Sequence, residues 1–312
     1  MILIKSTDLS AINQGKPFLQ QITQDRITRM KFAKNKHKKH KRKHSHKPRS
    51  MSAKADRHKL YELSVQDVSH EYDFINKTFR EIRGYNANNL REDFCGTAKM
   101  CCEWVRKRDK NTAVGVDIDP EVLSWGKKRN LGKLKSKARK RITLLQEDVM
   151  TVSAEPAQVI LAMNFSYQLF KQRDELRKYF ENVQKSLADD GVFFLDAFGG
   201  YEAYSETKEK TKHKGFAYVW EQESYNPITG DMTCHIHFHF PDKSRMKKAF
   251  TYEWRLWTLP EIREMLEQAG FSRVTVYWEG TDEETGEGDG KYYPSLQGDA
   301  DPSWVCYLTA EK

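Results

Sequence analysis

Short apolar runs alternate with helical segments through the middle of this chain, and this alternation constrains its fold more than any other feature. The runs have the composition of buried strands, and they are Leu90–Phe94, Thr112–Val116, Ile142–Leu145, Val159–Met163 and Val192–Asp196. Helical patterns separate them, the longest over about residues 173–188. Strands that alternate with helices form a parallel sheet covered on both faces. We therefore predict an α/β fold with a doubly wound sheet.

The pattern changes after Gly200. Long segments in which apolar and polar residues alternate, separated by turn residues, occupy about residues 201–258 and predict an antiparallel β insertion. A helix is predicted from Leu259, and two last strands, Val274–Trp278 and Trp304–Thr309, follow it. With the five earlier strands they make a sheet of seven.

The net charge of +9 comes from one segment, because residues 31–49 contain ten Lys and Arg residues and no acid. The rest of the chain has 43 basic and 44 acidic residues. We predict that residues 1–58 form a basic, mostly disordered tail and that residues 59–312 form the folded domain. The first interpretation of the tail is a segment without a specific partner, and the second is attraction to nucleic acid through residues 31–49.

Five cysteines, an odd number with no C-x-x-C pair, fit free thiols in a reducing compartment better than a disulfide framework or a zinc site. No apolar run approaches the roughly 18 residues that a membrane span needs. The opening Met1–Lys5 has too few apolar residues for a secretory signal. We therefore predict a cytoplasmic protein without a membrane partner.

Polar residues follow the predicted strands, at the ends where open α/β sheets bind ligands. The turn Glu92–Thr97 ends the first strand and Asp117 ends the second, while Asp148 and Asn164 follow the third and fourth. Asp117 lies 21 residues after Gly96, a separation at which an acid can accept hydrogen bonds from the hydroxyls of a ribose. These residues predict a site for a nucleoside ligand.

The glycine content of the first turn bears on which nucleoside binds. The dinucleotide fingerprint G-x-G-x-x-G is absent, and only Gly96 could occupy one of its positions. A pyrophosphate needs close approach of the backbone and favours more glycine there. S-adenosylmethionine has no phosphate, so we favour it, and an NAD-dependent enzyme is the alternative.

Five segments, EDFCGTA, VGVDID, QEDV, NFSY and GVFFLD, occur in the order typical of class I S-adenosylmethionine-dependent methyltransferases, which the chain resembles over about residues 60–310. The wording REDFCGTA resembles a bacterial subgroup of generic methyltransferases. The resemblance implies a Rossmann-like sheet of seven strands, mostly parallel with a reversed last strand, and an antiparallel insertion like the lid of the small-molecule branch. Phe94 and Ala98 stand where the family usually has glycine.

The resemblance also implies a set of cofactor contacts. Asp117 would hold the ribose, Ile118 would pack on adenine, Asp148 would accept from the adenine amino group beside the Val149 backbone, and Asn164 would line the methionine side. The full implied set for S-adenosyl-L-methionine is Glu92, Phe94, Cys95, Gly96, Thr97, Asp117, Ile118, Asp148, Val149 and Asn164. No general base can be assigned.

The acceptor is predicted to be a small molecule, with Tyr167, Trp254, Arg255 and Trp257 as candidate contacts. An RNA-binding protein or an RNA methyltransferase that uses the basic tail is the alternative. The stretch Cys234–Phe240 places three histidines on one face of a strand. Packing is the preferred interpretation of this face over a metal site, so no metal is predicted.

Overall fold

The computed structural model describes residues 49–282, 284 and 288–312. Most of the predicted tail, including its basic run up to residue 48, lies outside the described residues. Helix α1 (Met51–Lys54) lies within the segment predicted as tail, and helix α2 (Arg57–Ser64) crosses the predicted boundary at residue 58. The α2 helix begins where it does because the Asp56 carboxylate accepts hydrogen bonds from the backbone N–H groups of His58 and Lys59.

A regular alternation of helices and strands follows. In chain order these elements are α3 (Val68–Arg83), β1 (Asn89–Asp93), α4 (Lys99–Lys107), β2 (Thr112–Asp117), α5 (Pro120–Arg129), α6 (Ser136–Arg139), β3 (Ile142–Gln146), β4 (Ala157–Ala162), α7 (Arg173–Ser186) and β5 (Leu187–Gly199). The insertion then contributes β6 (Thr207–His213), β7 (Phe216–Tyr225), β8 (Asp231–His239) and β9 (Arg245–Arg255). The chain closes with α8 (Leu259–Gln268), β10 (Arg273–Thr281), β11 (Gly288–Ser295) and β12 (Trp304–Glu311).

The main sheet has eight strands in the order β11-β10-β12-β5-β4-β1-β2-β3. Strands β1 to β5 pair in parallel, and β12 runs antiparallel between β5 and β10. This confirms the predicted α/β class, the mostly parallel sheet and its reversed last strand.

The eighth strand, β11, corrects the prediction of seven, because it lies along the chain between the two predicted last strands, where no strand was predicted. It pairs antiparallel with β10 at the sheet edge. Packing of Tyr292 stabilises this edge strand, because the centre of its ring lies 4.5 Å from the centre of the Tyr307 ring on β12.

The insertion forms a second, four-stranded antiparallel sheet in the order β6-β7-β8-β9. On β8, Ile236 and Phe238 face a buried cluster that includes Leu60 of α2. Helix α2 therefore packs against the insertion as well as against the main domain.

Buried clusters cover both faces of the main sheet. One face packs against α7 and α8, with Tyr179 and Phe180 in its core, and the other packs against α3 and α4, with Phe79 and Trp104. Strand order reverses between β1 and β4, so a cleft opens there at the carboxyl ends of the strands.

Candidate cofactor-binding site

A cavity of about 510 Å³ lies in this cleft. Its volume is within the range of sites that enclose a small molecule. Seven of the ten predicted cofactor-binding residues line it, namely Glu92, Phe94, Cys95, Gly96, Thr97, Asp117 and Asn164.

The turn after β1 places alternate residues in the left-handed backbone region. Phe94, Gly96 and Ala98 have φ angles of 55°, 52° and 53°. Glycine adopts this conformation freely, whereas Phe94 and Ala98 each incur a cost of roughly 1–2 kcal/mol. The turn therefore has the conformation that explains why the family usually has glycine at all three positions.

Packing and hydrogen bonds hold Phe94 in this unfavourable conformation. Its ring lies 5.7 Å from the ring of Tyr179 and 6.2 Å from that of Phe170, between the cavity and the core. The next residue, Cys95, donates its N–H to the Val116 carbonyl at 2.9 Å, which joins the turn to β2. Ring burial offsets the backbone cost at Phe94.

Asp117 connects the two loops at the cleft. Its Oδ2 accepts the Gly96 N–H at 2.7 Å and its Oδ1 accepts the Asp119 N–H at 2.9 Å. Burial raises the pKa of this carboxyl, and the two backbone donors oppose that change. Each carboxylate oxygen has a second lone pair, so Asp117 can still accept hydrogen bonds from a ligand.

Two further carboxyls line the cavity. Oε2 of Glu92 accepts both the N–H of Cys101, at 3.1 Å, and its thiol, at 3.0 Å. Burial raises the pKa of Glu92 to about 7. Burial, with a smaller contribution from Asp196, raises the pKa of Glu71 to about 8. A cationic group in the cavity would favour the charged form of both carboxyls.

A strained turn after β4 presents Asn164 to the cavity. Asn164 and Phe165 both lie in the left-handed region, with φ angles of 58° and 57°. The buried Asp196 carboxyl holds them, because its two oxygens accept the N–H groups of Asn164 at 2.8 Å and of Phe165 at 2.9 Å. Backbone strain that buried polar groups maintain is typical of functional sites.

The roof of the cavity was missed by the sequence reasoning. Helix α2 contributes Arg57, His58 and Tyr61, and β9 contributes Phe250 and Tyr252. The His58 ring lies 5.9 Å from the Phe250 ring, so the helix and the insertion meet above the cavity. The i, i+3 spacing of His58 and Tyr61 on α2 was the signal available, but the predicted boundary between the tail (residues 1–58) and the folded domain divided this helix.

Buried hydrogen bonds hold α2 against the turn after β1. The Thr97 hydroxyl donates to the buried Glu62 carboxylate at 2.9 Å. Lys99 Nζ donates to the carbonyls of Glu62 and Gln66 at 2.7 and 2.8 Å. The roof and the turn are therefore one hydrogen-bonded unit.

Three residues of the predicted cofactor set do not line this cavity. Ile118 follows Asp117 with 69% of its surface exposed. Asp148 is exposed, and its side chain accepts the Met150 N–H at 2.9 Å, while Val149 is buried in the core.

Most of the predicted acceptor contacts lie elsewhere. Tyr167 is fully buried, and its hydroxyl donates to the Asp196 carbonyl at 2.8 Å. Trp257 is buried and donates to a backbone carbonyl, and the Arg255 guanidinium lies 3.6 Å from its ring centre. These three residues pack and stabilise the loops. Trp254 lines a second cavity of about 150 Å³.

The histidine face of β8 is satisfied by neighbouring side chains. His235 forms hydrogen bonds of 3.0 Å with Thr251 and Glu223, and His237 accepts the Lys248 N–H at 3.0 Å. Across the described ranges, no group of three or more His, Cys, Asp or Glu residues is placed to hold a metal ion. Nor does any described helix combine the length and apolar character that crossing a membrane requires.

Comparison with known proteins supports a methyltransferase. No model of a protein family matches the chain. The curated protein "Putative methyltransferase YqeM" of Bacillus subtilis strain 168 is 21% identical over 197 residues, which are 61% of this chain and 76% of the relative.

Solved structures share the fold at low sequence identity. An S-adenosylmethionine-dependent methyltransferase from Clostridium acetobutylicum has a TM-score of 0.61 and 17% identity, covering 81% of this chain and 96% of that one. DesVI from Streptomyces venezuelae has a TM-score of 0.60 and 17% identity, covering 82% and 98%. CalS10 from Micromonospora echinaspora, an amino pentose methyltransferase solved with S-adenosylmethionine bound, has a TM-score of 0.58 and 14% identity, covering 82% and 96%. The chain is therefore similar in sequence to a putative methyltransferase and shares the fold of solved S-adenosylmethionine-dependent methyltransferases.

Proposed function

We propose that the protein transfers the methyl group of S-adenosylmethionine to a small-molecule acceptor in the 510 Å³ cavity. The observation that carries this proposal is the convergence of three strand ends on one cavity. The turn after β1, Asp117 after β2 and Asn164 after β4 all line it. These are the positions at which an open α/β sheet binds a nucleoside ligand.

The charge of the cavity favours this donor over a dinucleotide. Acidic residues outnumber basic ones in its lining, with Glu71, Glu92, Asp93, Asp117 and Asp119 against Arg57 and Lys248. A sulfonium donor also carries an ammonium group, so acidic walls attract it, whereas they repel a pyrophosphate. The same argument disfavours a nucleic acid as the acceptor in this cavity.

The residues can be given roles toward the donor. Asp117 would accept hydrogen bonds from the ribose hydroxyls with its remaining lone pairs. The Oε1 atom of Glu92 would accept from the donor's amino group, because the two hydrogen bonds from Cys101 both use Oε2. Ile118 offers an exposed apolar surface for adenine beside Asp117. Asp148 and Val149 lie in the loop after β3 and do not line the cavity, so only that loop could bring them to the adenine edge.

When bound, S-adenosylmethionine supplies a methyl group already activated by the sulfonium. The chain therefore needs mainly to orient the acceptor and to exclude water. Helix α2 and strand β9 form the roof that would exclude water. The Arg57 guanidinium carbon on α2 lies 5.6 Å from the centre of the Phe250 ring on β9. A cavity of this size suits a small molecule. Two proteins with the same fold, an amino pentose methyltransferase and a sugar N-methyltransferase, agree with such an acceptor. The five buried free cysteines fit a cytoplasmic location.

Calorimetric titration with S-adenosylhomocysteine, the demethylated product, tests the proposal. The wild-type protein should bind it, and Asp117→Asn should weaken binding by roughly tenfold to a hundredfold, since hydrogen bonds to a charged carboxylate contribute about 1.5–3 kcal/mol. Asp189→Asn is the matched control. Asp189 is fully exposed near the start of β5, at the end of that strand away from the cavity. Thermal unfolding of each variant checks that it is folded. Absence of binding to the wild type would refute the proposal.

A further inference from the structure

A second cavity adjoins the donor site. This aromatic chamber has a volume of about 150 Å³. Its lining residues are Tyr61, Val65, Asn164, Phe165, Tyr218, Trp220, Ile236, Tyr252 and Trp254. Three of them, Tyr61, Asn164 and Tyr252, also line the donor cavity, so a molecule can occupy both spaces at once.

The aromatic chamber is built for an uncharged ring. None of its lining residues carries a formal charge near neutral pH, and six of the nine are aromatic. Trp254 stacks on Tyr252 at 4.5 Å and lies 6.5 Å from Phe165, which gives the chamber flat walls. An apolar cavity of about this volume is large enough to hold benzene.

The chamber and the donor cavity share one structural support. The strained turn that Asp196 holds directs Asn164 to both cavities and Phe165 to the aromatic chamber. The position of the ring site relative to the donor site is therefore set by two hydrogen bonds to a single buried carboxyl.

The donor cavity also has the carboxyl of Glu71 in its wall. This carboxyl forms no hydrogen bond or ion pair with any residue that the structure describes, although it is half-buried near the start of α3. A half-buried carboxylate without a partner favours a cationic group of a ligand beside it.

We infer that the acceptor is an aryl-substituted primary amine, with its ring in the aromatic chamber and its amino group at Glu71. This inference rests on the proposed function and names the class of its substrate. In the reaction, the ammonium gives a proton to the Glu71 carboxylate. The nitrogen lone pair then bonds to the methyl carbon as the carbon–sulfur bond breaks and its electron pair stays on sulfur. The products are the N-methylated ammonium and S-adenosylhomocysteine.

The test is calorimetric titration of the protein, saturated with S-adenosylhomocysteine, using three probes. Phenethylamine carries both the ring and the amine, butylamine lacks the ring, and phenylpropionate replaces the amine by a carboxylate. Phenethylamine should bind at least about tenfold more tightly than either of the others. Equal binding of phenylpropionate, or no binding of phenethylamine, would overturn the inference.

Two variants separate the parts of the site. Val65→Phe fills the aromatic chamber from a residue that does not line the donor cavity, so it should abolish phenethylamine binding and leave the binding of S-adenosylhomocysteine unchanged. Glu71→Gln should weaken phenethylamine at least about tenfold, whereas Glu81→Gln, on an exposed part of α3, should not. If S-adenosylhomocysteine fails to bind the wild type, the proposed function fails. If it binds and phenethylamine does not, only this inference fails.

Discussion

The buried carboxyl of Asp196 should make the stability of this protein depend on pH in a direction that can be measured. Asp196 is only 7% exposed and accepts the N–H groups of Asn164 and Phe165. Burial raises its pKa from the ordinary 3.8 to about 7, although the two backbone donors oppose that change. Between these pH values the folded protein retains a proton that the unfolded chain releases.

The sign follows from proton linkage. Because the folded state binds the additional proton, the stabilisation from Asp196 is complete below about pH 4, decreases as pH rises, and is lost once pH passes about 7. The free energy of unfolding falls by about 1.4 kcal/mol per pH unit in that window. From pH 5.5 upward, roughly 2 kcal/mol of this contribution is lost.

Urea unfolding of the wild type and Asp196→Asn, between about pH 5.5 and 8.5, measures this effect. The amide cannot titrate, so the stability difference between the two proteins should shrink by roughly 2 kcal/mol over that range. Asp189→Asn makes the same substitution at a fully exposed position on the same strand, and its curve should parallel the wild type. If the Asp196→Asn curve also ran parallel to the wild type within about 0.5 kcal/mol, the reasoning would be refuted.

Three further variants test the turn after β1. Phe94→Gly relieves roughly 1–2 kcal/mol of backbone strain but loses ring packing of about 3–5 kcal/mol, so urea unfolding should show a net loss of roughly 2 kcal/mol; a more stable variant would contradict this account. Thr97→Val removes the hydroxyl that donates to Glu62 and should lower stability by about 1–3 kcal/mol, with weaker S-adenosylhomocysteine binding by calorimetry; unchanged values of both would argue against a fixed roof. Gly126→Ala would place a Cβ 2.5 Å from the Thr97 carbonyl oxygen and should cost about 1–3 kcal/mol in thermal or urea unfolding. Gly132→Ala, whose nearest neighbour is a carbonyl oxygen at 3.5 Å, is its control, and equal losses in the two would count against the contact.

The donor side of the site could be predicted largely from local pattern. A buried parallel strand needs a continuous apolar run, and the residues directly after it must lie at the carboxyl edge of the sheet. The sequence pattern therefore predicts that Asp117 and Asn164 lie at the same edge of the sheet, and both line the cavity. What pattern could not show is that Asp117 already accepts two backbone N–H groups.

The acceptor side could not be predicted in the same way, because aromatic side chains have similar sequence patterns in a core and in a cavity. The sequence pattern makes Tyr167, Trp254 and Trp257 equally good candidates for acceptor contacts, yet of these three only Trp254 lines a cavity. Tyr167 and Trp257 each donate a hydrogen bond to a buried carbonyl, which fixes them as packing residues.

By itself, the sequence determined the alternation of strands and helices, the antiparallel insertion and the short turn after the first strand, whereas the reversed last strand was implied by the resemblance to a known family. These features depend on neighbours within about one element of each other, so periodicity and turn chemistry are enough to specify them. Only the tertiary structure decided that α2 covers the site. Its position depends on contacts between distant parts of the chain, such as the Met51 N–H that donates to Asp242 across 191 residues and Leu60 packed beneath β8. Such contacts form because burial of an apolar face is favourable. The adjoining sequence does not show which distant segment will cover that face.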